Sequence, residues 1–120
     1  MIGFVDDKWR ALIRIRVASP NVDELIELLV WIDTAFNGSL VLPRNKVEEL
    51  RLPMESSAEA ILADGNKVEL ETFGCSIEWF GQRYDTQIMT NDSEYGLVGT
   101  MLLAGRRLTI DYENRTVELS

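Results

Sequence analysis

Alternating apolar and polar residues dominate the chain and predict a succession of short β-strands. In RALIRIRVAS (10–19) apolar residues alternate with arginines, and this period of two marks a half-buried strand. The leucines of ELIELLVWID (24–33) would also suit a helix, but its β-branched and aromatic residues favour a buried strand in the second half. A further short strand, SLVLP (39–43), ends at a proline.

Two segments carry the period of a helix instead. PRNKVEELRL (43–52) begins with a proline, a favoured first-turn residue, and places Val47 and Leu50 on one side. TMLLAG (100–105) is typical of one or two helical turns closed by Gly105.

Turn residues between alternating strands predict three hairpins, and Asp-Gly is among the strongest such signals. The predicted turns are Asp64-Gly65 within 55–74, Gly81 within 75–89, and Glu113-Asn114 within 106–120. No repeat or linker divides the sequence, so residues 1–120 are expected to form a single all-β domain with one or two short helices. Such domains favour a closed or folded-over sheet that hides its edges.

Charge and composition exclude several function classes. A net charge of −8 and a pI near 4.5 argue against nucleic-acid binding, which requires clustered lysine and arginine. Histidine is absent, so histidine triads and histidine-based zinc sites are excluded. The one cysteine, Cys75, excludes an intrachain disulfide and is expected to be an inert, partly buried thiol. We expect neither a metal nor a cofactor.

The N-terminal residues do not match a secretory signal peptide, and we expect none. MIGFVDDKWR has acidic residues where a signal peptide needs a basic and then an apolar stretch. No stretch reaches the roughly 18 apolar residues of a membrane helix. A cytoplasmic protein with no membrane partner is therefore expected.

Carboxylates are the acid-base groups that remain, and Asp33 in IDTAFNG (32–38) stands apart from the others. It follows Trp31 and Ile32, so its side chain is expected to be partly desolvated, and Thr34 places a hydroxyl beside it. An aspartate at the end of a strand is most often a turn or cap residue. Taken alone, Asp33 is better interpreted as such a turn residue than as a catalytic one.

Three segments together carry a family resemblance. WIDTAFNGSLVLP (31–43) resembles the active-site strand and loop of retropepsin-like (clan AA) aspartic proteases, whose signature is apolar-apolar-Asp-Thr/Ser-Gly. In the small prokaryotic branch this signature often continues as Phe-x-Gly-x-Leu-x-Leu-Pro, here from Phe36 and Gly38 onward. AILADGNKVEL (60–70) resembles the family's flap hairpin. GLVGTMLLAGRRLTIDY (96–112) resembles its later apolar-apolar-Gly element with the helix and strand that follow. The order and spacing fit nearly the whole chain.

The resemblance implies a retropepsin-like barrel that assembles as a homodimer and hydrolyses peptides or unfolded proteins. One chain supplies one aspartate, whereas the chemistry uses two carboxylates that share a proton, so Asp33 would face Asp33 of a second copy. Thr34 would hydrogen-bond across to the other loop. The flap tip would be Ala63, Asp64 and Gly65, and the supporting element would be Leu97, Val98 and Gly99. No metal or cofactor is implied.

Ala35 departs from the family pattern, which has glycine there. A Cβ at this position could crowd the contact between two loops or force a strained backbone conformation. A catalytically impaired, dimeric peptide-binding module is therefore a second hypothesis. A third is a monomeric all-β protein in which Asp33 is a turn residue.

Overall fold

The computed structural model describes the backbone of residues 1–120 and the side chains of all of them except Ala58 and Ala60. It contains ten strands and two short helices. The elements are β1 (Ile2–Val5), β2 (Ala11–Ala18), β3 (Ile26–Ile32), β4 (Leu40–Pro43), α1 (Arg44–Glu49), β5 (Met54–Ile61), β6 (Lys67–Trp79), β7 (Gln82–Asn91), β8 (Gly96–Val98), α2 (Thr100–Leu103), β9 (Leu108–Asp111) and β10 (Thr116–Leu119).

Six of these strands close into a barrel. Their order is β6-β7-β4-β8-β3-β2, and β2 closes the ring by pairing with β6, where Val17 lies opposite Ile77. The opposite end of β2 pairs with β1, which continues through β10 to β9 at one edge. Strand β5 forms the other edge and pairs with the first half of β6. The expectation of an all-β closed sheet with short helices is confirmed.

The strand β8 lies between two strands that precede it by more than fifty residues. It runs parallel to β3, with Ile32 opposite Val98, and antiparallel to β4, with Leu40 also opposite Val98. Gly96 permits this insertion, because a Cβ there would overlap the carbonyl oxygen of Val41. The insertion brings the end of β3, the start of β4 and the end of β8 to one end of the barrel.

Burial follows the apolar pattern of the sequence. β4 is buried at all four positions, and β2 exposes Arg14 and Arg16 while it buries the apolar residues between and around them. The largest fully buried side chains are Leu12, Ile13, Ile15, Leu40, Leu42, Ile77, Ile88, Leu119, Val17, Val30, Val98 and Val117. Both predicted helices are present, and Val47 anchors α1 in the core.

Two features differ from the sequence prediction. The pattern ends one strand at Gly74 and begins another at Cys75, whereas β6 runs unbroken through both. Gly74 is held in the strand by its N–H, which donates to the carbonyl of Pro53 at 2.8 Å. The absence of a Cβ leaves room for the Glu55 carboxylate, which a side chain at position 74 would overlap. Strand β1 was not predicted, because IGFV is short and includes Gly3, which β-propensity disfavours. Its pairing with β2 and β10 makes it a strand.

Candidate functional site

The residues 33–39, here called the Asp33 loop, connect β3 to β4 at the end of the barrel where β8 also ends. The backbone N–H of Asp33 donates to the carbonyl of Val98 at 2.9 Å, which extends the parallel pairing by one residue. The Asp33 carboxylate is half-buried, and its Oδ1 accepts the N–H of Ala35 at 2.9 Å. The ordinary turn interpretation therefore describes the local geometry correctly. It also fixes one carboxylate oxygen toward its own loop.

Backbone groups of the following segment hold the rest of the loop. Thr100 N–H donates to Phe36 C=O at 2.8 Å, and Met101 N–H donates to Gly38 C=O at 3.2 Å. Gly99 N–H donates to Ser39 C=O at 2.9 Å. The first amides of α2, which have no partner inside the helix, are thus satisfied by loop carbonyls. The elements predicted from 31–43 and 96–103 are joined by these bonds.

Glycine at position 99 is required by close packing against the loop. A Cβ added to Gly99 would overlap the Gly38 carbonyl oxygen and the Phe36 ring. A Cβ on Gly38 would also overlap this ring, at its Cζ end. The half-buried Phe36 therefore packs closely against two glycines. Val98 is fully buried and Leu97 half-buried, so the residues that precede Gly99 belong to the barrel wall.

Thr34 and Ala35 form the exposed tip of the Asp33 loop. The non-glycine residues with left-handed φ in the described backbone are Trp9, Arg51, Phe80 and Arg115. Ala35 is not among them, so its conformation within one chain carries no strain of that kind. The strained-backbone concern raised by the sequence is therefore wrong for the single chain. The other concern raised by the sequence, crowding by the Ala35 Cβ, would apply only where the loops of two copies meet.

The third predicted segment forms the hairpin of β5 and β6. Its tip is a turn over Ala63 and Asp64 followed by Gly65 at φ +86°, and Gly65 N–H donates to Leu62 C=O at 2.9 Å. The Asp64 carboxylate accepts the N–H and the side-chain amide of Asn66 at 2.9 and 2.8 Å. All three tip residues are exposed. Among the described residues, no hydrogen bond joins this tip to the Asp33 loop.

A groove of about 510 Å³ lies beside the Asp33 loop, and we call it the loop groove. The groove lies between the Asp33 loop and β7, before the point where β4 begins to pair with β7 at Val41 and Met89. A hydrogen bond of 3.1 Å between the Ser39 and Thr86 hydroxyls crosses it. Sequence reasoning identified only Phe36 and Gly38 among its residues. The lining consists of Phe36, Gly38, Ser39, Leu40, Thr72, Asp85, Thr86, Gln87, Ile88, Met89 and Met101. Ser39, Leu40 and Met101 lie in segments that the sequence singled out for other reasons, and no local signal marks Thr72 or residues 85–89 as neighbours of the loop.

A cluster of side chains around Arg10 supports the strand that leads to Asp33. Arg10 forms an ion pair of 2.7 Å with Asp6, and its guanidinium lies 5.8 Å from the ring centre of Trp31 and 4.6 Å from that of Tyr95. Partial burial opposes ionisation of Asp6, but hydrogen bonds from Arg10 and from the Lys8 amide outweigh it and lower the pKa of this carboxyl. The cluster fixes the 6–10 loop against β3.

The part of the chain that the structure describes shows neither a reactive thiol, nor a metal site, nor a membrane-spanning helix. Cys75 is fully buried, and desolvation raises the pKa of its thiol to about 12, so it is an inert thiol as expected. No group of three or more histidine, cysteine, aspartate or glutamate side chains is arranged to hold a metal ion within these described residues. No helix among them is long and apolar enough to cross a membrane.

Comparisons with known proteins identify the fold. No protein-family model matches the sequence, and no curated protein matches it. Among solved structures, the chain is similar to a retropepsin-like aspartic protease from Rickettsia conorii, with 17% identity and a TM-score of 0.63 over 99% of this chain and 88% of that one. It is also similar to EIAV protease in complex with an inhibitor, with 18% identity and a TM-score of 0.55 over 82% and 88%. The structural similarity establishes a retropepsin-like fold, and at identities this low it establishes the fold alone. The structural neighbours themselves are aspartic proteases.

Proposed function

We propose that residues 1–120 form a single-domain aspartic endopeptidase that acts as a homodimer, with Asp33 of each copy supplying half of a catalytic pair. The observation that carries this proposal is the Asp33 loop. Its aspartate lies at the mouth of a retropepsin-like barrel, and the Val98–Gly99 element holds its backbone from below. One such loop per chain requires a second copy to complete the pair.

The chemistry follows from two carboxylates placed close together. Like charges at short distance do not both ionise, so one Asp33 holds a proton and the other does not. The ionised carboxylate accepts a proton from a water molecule, whose oxygen bonds to the scissile carbonyl carbon. The protonated carboxyl donates a hydrogen bond to the carbonyl oxygen. When the C–N bond breaks, a proton passes to the leaving amine.

The surrounding residues have positioning roles in this proposal. The exposed hydroxyl of Thr34 hydrogen-bonds across the two-fold axis to the other loop. The β5–β6 hairpin acts as a flap, with Ala63, Asp64 and Gly65 closing over an extended peptide and excluding water. Its exposed tip and the absence of a tip-to-loop hydrogen bond among the described residues support a segment that is free to close.

Cleavage that depends on Asp33 is the direct test. The purified protein is incubated with an unfolded protein between about pH 4 and 7, with and without a pepstatin-type inhibitor. We expect cleavage that Asp33→Asn abolishes, while Asp7→Asn, an equal charge change in the exposed 6–10 loop, leaves it intact. Equal cleavage by the Asp33→Asn variant, or none by the unchanged protein, contradicts the enzyme proposal.

The dimer is tested separately by sedimentation. We expect a particle of twice the 13.7 kDa chain mass at moderate salt. Because each chain carries a net charge of −8, low ionic strength should favour dissociation, and added salt should restore the dimer. A monomer at all salt concentrations would instead support the monomeric all-β protein in which Asp33 is only a turn residue.

A second candidate function is a dimeric peptide-binding module without catalysis, and Ala35 favours it. Ala35 is exposed at the loop tip, two residues after Asp33. Ala35→Gly distinguishes the two candidates, because removing one methyl group relieves only a contact between loops. A gain of Asp33-dependent cleavage in this variant indicates a protease held back by that methyl group. Peptide binding that persists in Asp33→Asn, with no turnover in any variant, indicates the binding module.

A further inference from the structure

The loop groove combines apolar walls with a single charged residue. Phe36, Leu40, Met89 and Met101 supply much of the apolar lining, and the polar lining is neutral except for Asp85. Met101 is exposed over 69% of its surface although α2 is tied to the Asp33 loop. A groove of this kind suits a side chain that has both an aliphatic part and a positively charged end.

Asp85 is oriented by a buried partner. Ser76 is fully buried on β6, lies directly opposite Asp85 on β7, and its hydroxyl donates to Asp85 Oδ1. This bond fixes one carboxylate oxygen to the barrel wall. A carboxylate held in this way binds a ligand with less loss of side-chain entropy than a freely rotating one.

No cation of the described chain neutralises Asp85. The ion pairs among the described residues do not include it. The nearest arginine along the strand, Arg83, donates instead to the carbonyls of the 19–23 turn, with a distance of 3.2 Å to that of Asp23. The carboxylate is therefore available to a cation from outside the chain.

The surface next to the loop groove is also mainly acidic. A second groove borders Met89 and is lined by Glu69 and Glu71 of the hairpin, with Arg44 as its one cation among the described residues. An extended polypeptide that follows β7 from one groove to the other would thus pass more carboxylates than cations. Within a chain of net charge −8, this surface favours basic segments.

We propose that the loop groove binds a lysine or arginine side chain of an extended polypeptide substrate, with its aliphatic stem against Met89 and Met101 and its cation at Asp85. The identity of the polypeptide as a substrate rests on the proposed protease function. The binding preference itself does not require cleavage. The groove would act as a specificity subsite beside the Asp33 loop.

The test compares binding of matched peptides. Fluorescein-labelled extended peptides that differ at one position, lysine or the uncharged norleucine, are titrated by fluorescence anisotropy, and the position is moved along the peptide. At one position we expect lysine to bind about 1.5- to fivefold more tightly than norleucine, the range of an exposed ion pair. The difference should shrink as ionic strength rises.

Variants of Asp85 assign the effect. Asp85→Asn keeps an acceptor for Ser76 and should bring the lysine-to-norleucine ratio close to one, whereas Asp7→Asn should leave it unchanged. Asp85→Lys should reverse the charge preference, so that a matched peptide with glutamate at this position binds more tightly than the lysine peptide. Equal binding of lysine and norleucine peptides at every position, or a lysine preference that survives Asp85→Asn, overturns the proposal. Lysine preference without any cleavage would leave the subsite in place and reject only the protease function.

Discussion

The two halves of strand β6 lie in different surroundings. From Phe73 to Trp79 it pairs with β7, and its residues 76–78 also pair with β2 inside the closed barrel. From Lys67 to Thr72 it pairs with β5 alone and extends into solvent as the hairpin. The barrel half buries Cys75, Ile77 and Trp79, whereas the hairpin half buries no residue fully: Lys67, Glu69 and Leu70 are exposed, and Val68, Glu71 and Thr72 are half-buried.

The difference shows where the stability of this protein resides. Burial of apolar surface stabilises the barrel by about 25 cal/mol per Å². An isolated two-stranded hairpin is marginally stable in water and depends on its ladder hydrogen bonds and cross-strand pairs. In the hairpin, Glu59 lies directly opposite Glu69, a like-charge pair that destabilises the local structure and that the exposed ion pair of 3.4 Å between Lys67 and Glu59 offsets only in part. The candidate catalytic loop belongs to the stable part and the candidate flap to the labile part.

Truncation of a leucine in each region should give the largest contrast. Leu42 of β4 is completely buried, so Leu42→Ala should lower the free energy of unfolding by about 2–5 kcal/mol. Leu70 of the hairpin is 45% exposed, and Leu70→Ala should cost below about 1 kcal/mol. Urea unfolding measures both. Similar losses in the two variants would mean that the hairpin contributes to global stability as the barrel does.

A glycine from each region sharpens the comparison at the site. Gly99→Ala should displace the Asp33 loop, lower the free energy of unfolding by about 1–3 kcal/mol, and suppress Asp33-dependent cleavage. Gly65→Ala meets no atom within 4 Å but retains a left-handed φ of +86°, so it should cost about 1 kcal/mol. Cleavage assays and urea unfolding separate the two effects. Full activity in Gly99→Ala would contradict the supporting role of this element.

The buried Cys75 thiol in the barrel half of β6 should make the free energy of unfolding depend on pH. Burial raises the pKa of its thiol from 9.0 to about 12, so the folded state retains the proton after the unfolded state has lost it. Its contribution to stability is complete below pH 9.0 and declines as pH rises toward 12. Between pH 9 and 10 the loss should be about 1 kcal/mol. Urea unfolding of Cys75→Ala over the same range should lack this component; identical pH profiles would contradict the burial.

Relief of the like-charge pair in the hairpin should give the smallest effect. Glu69→Lys places a cation opposite Glu59, and we expect the hairpin to gain about 0.2–1 kcal/mol of local stability. Hydrogen exchange of the amides in residues 67–72 should slow, while that of residues 75–79 should not change. Slower exchange in both halves would mean that the hairpin and barrel open together.

Local patterns predicted much of the fold because each depends on neighbouring residues. Alternation in residues 10–19 predicted β2, the 43–52 pattern predicted α1, and Asp64-Gly65 predicted the hairpin turn, and all three are present. The prediction was wrong at Gly74, where turn propensity yielded to the continuous ladder of β6. Strand β1 was missed because long-range pairing, rather than its composition, makes it a strand.

The sequence by itself determined where most of the strands lie, which faces are apolar, and that Asp33 follows an apolar strand without any histidine in the chain. Only the tertiary structure decided that β8 enters between β3 and β4, that Gly99 supports the Asp33 loop, and that Asp85 shares a groove with that loop. The physical reason is range. Propensity and periodicity act over a few residues, whereas a site assembled from distant strands depends on pairings whose partners no local pattern specifies.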